Sequence, residues 1–411
     1  MTVRVGINGF GRIGRSFERV VLSRGPEVGI SVAAVNEPNA DADTLAFLLQ
    51  YDSVGGVLGA DVEATGGGLR IDGHEFALCR FTEPADIPWT EYDVDVVIEA
   101  SGRFRTRAAA AAHIDAGAQR VVVSAPSRDP DVTVCVGVND DAYDPVSHTI
   151  VSNASCTTNC LAPMARVLHE RLEIEQGFMT TVHAYTTDQA LLDQAHLSRS
   201  GTVDLRRMRA AAVSIVPTST GASRAVGQVL PQLAGRLEGT ALRVPVPDGS
   251  IVDLVAVLER EATTVEVNAA FEAAAHDKTY RDVLQYTDKP LVSQDIVGNP
   301  ASCVFSARDT MAARRMVKTL GWYDNEWGYA NRLVDLVTLM AKRGDRPLSG
   351  PAHRDERAGR APTGMISNIW DPAEAIDPLV RSSQPVDPAE LADPDLPLEN
   401  RHAGAPAGTR S

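Results

Sequence analysis

Val3-Arg4-Val5-Gly6-Ile7-Asn8-Gly9-Phe10-Gly11-Arg12-Ile13-Gly14 is the stretch from which the fold is read. Val3 to Ile7 is a short apolar run of the kind a buried strand needs, and a helix is expected from about Arg12 to Ser23. Between them stand glycines at 9, 11 and 14, the G-x-G-x-x-G spacing. On its own that spacing is common in tight turns. Placed between a strand and a helix, each glycine acquires a reason. Gly9 permits the sharp turn, Gly11 lets the backbone approach a pyrophosphate, and Gly14 allows close helix–strand packing, while free N–H groups at the helix start bind the phosphates. Gly9, Phe10, Gly11, Arg12, Ile13 and Gly14 are therefore the candidate cofactor-binding turn.

Outward from that turn the first third of the chain keeps alternating. Ile30 to Asn36 reads as a second strand, Asp93 to Ala100 as another, Arg107 to Gly117 as a helix and Val121 to Ser124 as a strand. Such repetition predicts a parallel sheet with covering helices, a Rossmann-type α/β domain over residues 1–155. Glu37 follows the second strand, 23 residues past Gly14, where a carboxylate can accept from the adenosine ribose hydroxyls. A like charge ~4 Å away costs about 4 kcal/mol at an effective dielectric near 20, so a 2′-phosphate is disfavoured. NAD is the expected cofactor, rather than NADP.

After about residue 155 longer strand candidates appear, at Thr180–Tyr185, Ala241–Pro245 and Val252–Glu259, with a helix at Val265–His276 among them. This predicts an α+β catalytic domain over 156–322 with a mainly antiparallel sheet. The final periodic segment, Asn331 to Arg343, reads as a last amphipathic helix. From 344 to 411 the periodicity is lost. Ten of the chain's 24 prolines fall there, and Asp-Pro recurs at 371, 377, 387 and 393. A disordered tail with an unknown partner is expected.

The net charge of −15 over 411 residues argues against nucleic acid or an anionic membrane as main partner. No run approaches ~18 consecutive apolar residues. The N-terminus shows no basic-then-apolar signal segment, and five irregularly spaced cysteines suit a reducing cytoplasm better than a disulfide framework.

Ser152-Asn153-Ala154-Ser155-Cys156-Thr157-Thr158-Asn159-Cys160 follows a strand and opens a helix. Hydroxyl and amide residues there cap exposed N–H groups. A cysteine at that end feels the positive pole of the helix, which is expected to lower its pKa. Cys160, one turn on, reads as a core residue. No further ligands at matching spacing complete a metal site, so none is expected. Thr181-Val182-His183-Ala184-Tyr185-Thr186 supplies a candidate base in His183.

These segments, with DLRRMRAAA at 204–212, PTSTGA at 217–222, RVPVPDGSIVDL at 243–254 and WYDNEWGYANR at 322–332, occur in the order found in phosphorylating glyceraldehyde-3-phosphate dehydrogenases, which the chain closely resembles over about residues 1–343. The resemblance implies NAD-dependent oxidation of glyceraldehyde 3-phosphate, with inorganic phosphate as second substrate, in a homotetramer, and a C-terminal helix within 323–343 that returns to the NAD-binding domain. It implies Cys156 as the nucleophile that forms a thiohemiacetal and then a thioester, with His183 as its base. Thr186 and Arg243 resemble the pair that holds the substrate's own phosphate. Ser155, Thr157, Arg207, Thr220 and Gly221 resemble the site of the attacking phosphate. Asn325 resembles the residue that fixes the nicotinamide carboxamide, with Tyr329 beside it.

The chain departs from the family in three places. Asn36-Glu37 stands where the family usually has an aspartate, and is similar to the erythrose-4-phosphate dehydrogenases. Asp193 to Asp204 is about five residues longer than usual, in a loop that normally reaches a neighbouring subunit's cofactor. The proline-rich tail has no counterpart. An erythrose-4-phosphate or arsenate-using variant, and an NAD-binding scaffold, stand as the alternative functions.

Overall fold

The computed structural model describes residues 2–195, 204–280 and 282–344. The expected tail from 345 onward, and 196–203 of the long loop, lie outside the described residues.

The N-terminal sheet has nine strands. Six successive pairings are parallel, and Val62–Ala64, Gly68–Ile71 and His74–Cys79 add an antiparallel edge. Val3–Asn8 lies in the middle, with Ile30–Asn36 on one side and Val96–Glu99 on the other. The chain winds outward in both directions from that central strand, which opens a crevice at the carboxyl ends where ligands of such sheets bind. Gly9 has φ +93°, and a Cβ there would stand 2.6 Å from the Ser101 backbone. A Cβ on Gly14 would lie 2.4 Å from the Gly9 carbonyl oxygen, whereas Gly11 faces open space. The turn therefore has the three environments that its glycine spacing predicts.

A buried polar ladder ties the strand ends together beneath the crevice. Asn36 Nδ2 donates to Asn8 Oδ1 (2.8 Å), and Asn8 Nδ2 donates to Glu99 Oε2 (2.6 Å). Trp89 Nε1 donates to His113 Nδ1 (3.0 Å), and His113 Nε2 stands 3.1 Å from the same Glu99 oxygen. The indole can only donate, so His113 carries its proton on Nε2 and passes a hydrogen bond to the carboxylate.

The second sheet has seven strands, with four antiparallel and two parallel pairings. It is mainly antiparallel, as expected. One of the parallel pairs joins Ile174–Ala184 to Leu237–Val244 and sets His183 directly beside Arg243. The Cys156–Leu172 helix is almost wholly buried in the core that this sheet shares with the Ala222–Val229 and Thr264–Ala275 helices.

Several elements begin elsewhere than the sequence suggests. The last helix starts at Trp327 rather than Asn331, because Asp324 Oδ1 accepts from the N–H groups of Glu326 and Trp327 and so opens the helix early. Leu333, Val334, Leu336, Val337 and Met340 of that helix pack into the N-terminal core. The Ile174–Ala184 strand begins six residues before Thr180, through Gly177, where a Cβ would meet the Val255 carbonyl at 2.7 Å. Asp93 has left-handed φ at the end of a short turn, so its strand begins at Val96.

Candidate active site

Cys156 is the first residue of its helix. Ser155 caps it, its Oγ accepting from Thr158 N at 3.0 Å. Ala154, just before, is held at φ +55°, and Tyr329 donates its hydroxyl to the Ala154 carbonyl at 3.1 Å. Tyr329 is thus a buried brace for the turn that leads into Cys156. Cys156 is half-buried, while Cys79, Cys135, Cys160 and Cys303 are buried and none is in a disulfide.

Cys156 Sγ lies 3.4 Å from His183 Nε2. Burial pushes the thiol up to about 11, although Arg243 and the Thr157 N–H and hydroxyl favour the thiolate. Burial also pushes the imidazole down to about 3, and the Arg243 charge acts in the same direction. Desolvation thus opposes the lowering of the cysteine pKa expected from the helix N-terminus. Passing the thiol proton to His183 recovers about 5 kcal/mol of Coulomb attraction across the 3.4 Å gap at an effective dielectric near 20.

Arg243 is half-buried, and its Nη1 donates to the Ala184 carbonyl (2.9 Å) while standing 2.8 Å from His183 Nδ1. Its Nε is buried without a partner. Thr186 Oγ1 donates to Asp188, and Arg207 pairs with the same carboxylate. Arg207 also donates to Thr218 Oγ1 from Nε (3.2 Å) and Nη2 (3.0 Å). Thr220 and Gly221 follow one strand further on, at the start of the Ala222–Val229 helix, with Thr220 Oγ1 accepting from Ala222 N at 3.2 Å. The two arginines thus flank the cysteine–histidine pair. Thr157, expected at the attacking phosphate, is buried, and its hydroxyl is 2.9 Å from the Tyr323 hydroxyl, which also meets Thr181 at 2.8 Å.

A cleft of about 300 Å³ opens along Asn8, Gly9, Gly11, Glu37, Phe81 and Ser101. Glu37 stands at its wall, with Oε2 accepting from Phe10 N (3.2 Å) and Oε1 accepting from Asn39 N (3.3 Å). The open face of Gly11, the helix N–H groups and this carboxylate fit a dinucleotide. Arg12 is the first residue of the helix after the turn, and its guanidinium is engaged by Asp52 and Glu326. Ile13 is partly buried against the N-terminal core. Asn325 is buried, with Ser250 Oγ donating to its Oδ1 (2.6 Å) and Asp248 Oδ1 accepting from its N–H (3.3 Å). The contact from Ser250 fixes the side-chain amide.

Asp188, Thr218, Tyr323, Ser250 and Asp248 were not found from sequence. Only Asp188 carried a signal there, as an acid two residues past Thr186. Among the described residues no group of three or more His, Cys, Asp or Glu is arranged to hold a metal.

A model described as the glyceraldehyde 3-phosphate dehydrogenase NAD binding domain matches residues 3–107, and one for the C-terminal domain matches residues 155–325. The chain is 53% identical over 344 residues to the glyceraldehyde-3-phosphate dehydrogenase of Streptomyces coelicolor, covering 84% of this chain and 100% of that protein. It is 51% identical over 345 residues to that of Geobacillus stearothermophilus, again 84% and 100%. The Mycobacterium bovis enzyme of the same name is 51% identical over 346 residues, covering 83% of this chain and 99% of its own length.

Proposed function

The chain belongs to the glyceraldehyde-3-phosphate dehydrogenase family, and from that premise we propose how its own residues carry the reaction. It is an NAD-dependent oxidoreductase that converts glyceraldehyde 3-phosphate and inorganic phosphate to 1,3-bisphosphoglycerate. The observation that carries the mechanism is the 3.4 Å contact between Cys156 Sγ and His183 Nε2 at a helix N-terminus, flanked by Arg243 and Arg207. NAD, when bound, supplies the hydride acceptor, and the glycine turn, Glu37 and Asn325 are the residues that would hold it.

Cys156 attacks the aldehyde carbon, and the thiol proton ends on the new hydroxyl of the thiohemiacetal. His183 Nε2 takes that hydroxyl proton as the carbon loses hydride, which leaves a thioester on Cys156. The thioester retains the free energy of oxidation as long as water is kept from it. Phosphate held by Arg207, Ser155, Thr220 and Gly221 attacks the acyl carbon, and the Cys156 sulfur leaves. Thr186 and Arg243 hold the substrate's own phosphate throughout. The Thr157 hydroxyl, turned towards Tyr323, serves the sulfur rather than the incoming anion.

The assembly is proposed to be a homotetramer. Support comes from large apolar side chains left exposed on the single chain: Leu191, Leu192, Leu205, Val213 and Ile215 near the site, and Phe47, Tyr51 and Val57 elsewhere. Five free cysteines and the absence of any membrane-spanning helix among the described residues support a cytoplasmic location. The relatives favour neither an erythrose-4-phosphate enzyme nor a scaffold. Steady-state assays with each aldehyde, each nicotinamide cofactor and with phosphate omitted test the assignment. Turnover that ignores phosphate, or that prefers erythrose 4-phosphate, would displace it.

A further inference from the structure

We infer that Asp248 is a positioning residue for the nicotinamide half of NAD: as a neutral carboxylic acid it ties its own turn to Asp324, and losing that proton separates the two segments that hold Asn325 in place. The inference rests on the proposed role of Asn325 and adds the groups that stand behind it.

Asn325 belongs to one turn and is oriented by another. Its backbone lies in 324–326, whereas its side chain is fixed from 248–250. Ser250 and Tyr323 are antiparallel partners, so the two turns leave the sheet side by side. Ser250 Oγ donates to Asn325 Oδ1 at 2.6 Å and accepts from Ala184 N at 3.0 Å. A hydroxyl has one proton, and here it goes to Asn325, so the amide cannot turn over without losing that bond. Asp248 Oδ1 accepts from Gly249 N (2.8 Å) and from Asn325 N (3.3 Å), which is a second tie between the turns. The third runs from carboxyl to carboxyl. Asp248 and Asp324 are both buried and hydrogen-bond one another, which requires a proton on one of them.

That proton sits on Asp248. Asp324 accepts from Gly298 N on Oδ2 (2.7 Å) and from Glu326 N (2.8 Å) and Trp327 N (2.6 Å) on Oδ1, at the start of the Trp327–Arg343 helix, whose positive pole favours a charge there. Asp248 takes its two N–H groups on Oδ1 alone. The cations nearby are already engaged. Arg12 and Arg19, from the Arg12–Arg24 helix, line the cavity that Asp248, Asp324 and Asp52 share. Arg12 is held by Asp52 and Glu326, and Arg19 Nη2 by the carbonyls of Leu49 (2.8 Å) and Gly56 (2.9 Å). Glu326 opposes a charge on Asp248, as an ionised Cys156 does from its own helix. Burial raises both carboxyls, Asp248 to about 8.

Once ionised, Asp248 faces the charge of Asp324. Two like charges sharing a buried site repel, so the turns separate or water enters between them. Either outcome stretches the 2.6 Å bond from Ser250 to Asn325, and the carboxamide loses the amide that orients it. Linkage works in reverse as well: a nicotinamide held by Asn325 keeps the turns together and so retains the Asp248 proton. The adenosine half, at the glycine turn and Glu37, does not depend on these turns.

The test uses the full chain carrying Cys156→Ser, which removes the titration of the neighbouring thiol, and compares NAD with ADP-ribose, which lacks the nicotinamide. Calorimetric Kd values are taken from pH 7 to pH 9.5, a window of about two and a half units spanning the Asp248 carboxyl. The Kd of NAD should rise about three- to tenfold over that window while that of ADP-ribose stays level. Asp248→Asn, which keeps the neutral form, should level the NAD profile, and Asp324→Asn, which removes the repelling charge, should do the same. ADP-ribose affinity at pH 7 reports that each variant has folded, and a merely structural effect would move both ligands together. The inference is overturned by parallel profiles for the two ligands, by a level NAD profile in the parent, or by a rise that persists in either variant that folds. Asn325→Ala should weaken NAD but not ADP-ribose at pH 7. No change there would instead remove Asn325 from the nicotinamide, which is a failure of the proposed function rather than of the tie between Asp248 and Asp324.

Discussion

Replacing His183 by Asn removes the proton acceptor of Cys156 while keeping a side chain of similar reach. In the wild type the thiolate forms by transfer across 3.4 Å, with a Coulomb term of about 5 kcal/mol at an effective dielectric near 20. At 1.36 kcal/mol per pH unit, that term is about three to four units. Water entering beside the smaller asparagine screens part of it, so a rise of about two to four units in the apparent pKa of Cys156 is expected. Iodoacetamide alkylation followed against pH reads this directly. The other four cysteines are buried, so the fast phase belongs to Cys156. Its midpoint should move upward, because without an imidazole to take the proton, burial alone decides the thiol. Superimposable wild-type and variant profiles would refute the reasoning, since Arg243 and the Thr157 N–H would then suffice to support the thiolate.

Glu37→Ala should narrow the preference for NAD over NADP, read as the ratio of kcat/KM values, by about ten- to a hundredfold; an unchanged ratio would show that the carboxylate at the cleft wall does not read the 2′ position. Arg243→Ala should raise the KM for glyceraldehyde 3-phosphate far more than that for free glyceraldehyde, and equal effects would remove Arg243 from the substrate's phosphate. Asp248 is pushed up to about 8 by burial, with Asp324 and Glu326 adding repulsion. A carboxyl raised in the folded chain binds a proton there that the unfolded chain has already released, so its contribution is lost as pH rises from about 4 to about 8. Asp248→Asn, which mimics the protonated form, should therefore flatten the fall in thermal stability over that window and gain about 1–3 kcal/mol near pH 8. A steeper fall in the variant would show that Asp248 is ionised in the native chain.

What the sequence revealed were features whose physics is local. Three glycines at 9, 11 and 14 have meaning only between a strand and a helix, and the packing around Gly9 and Gly14 is what that meaning requires. A cysteine flanked by capping residues announces a helix N-terminus. What stayed hidden depends on partners distant in sequence. Arg12 sits in the cofactor turn, yet its guanidinium is claimed by Asp52 and by Glu326, 314 positions away. Asp188 ties Thr186 to Arg207 through a loop whose spacing carries no periodic signal. Nothing at Thr157 foretells that Tyr323 will take its hydroxyl. The helix-pole effect on Cys156 was legible, but the burial that opposes it was not, because desolvation belongs to the assembled core. The start of the last helix was missed for a related reason: Gly328, a weak helix former, lies in its first turn, where a Cβ would meet the Ala301 oxygen at 2.7 Å.

The covalent step is the centre of the mechanism, and withholding phosphate exposes it. Full-length enzyme mixed with NAD and glyceraldehyde 3-phosphate, without phosphate, should release a burst of one NADH per active site and then slow sharply. Mass spectrometry of the quenched protein should find a single acyl group on the peptide containing Cys156. Added phosphate should discharge that group as 1,3-bisphosphoglycerate, and Cys156→Ser should give neither burst nor adduct while still binding NAD. Sustained turnover without phosphate, an acyl group on any other residue, or a burst in Cys156→Ser would contradict the mechanism.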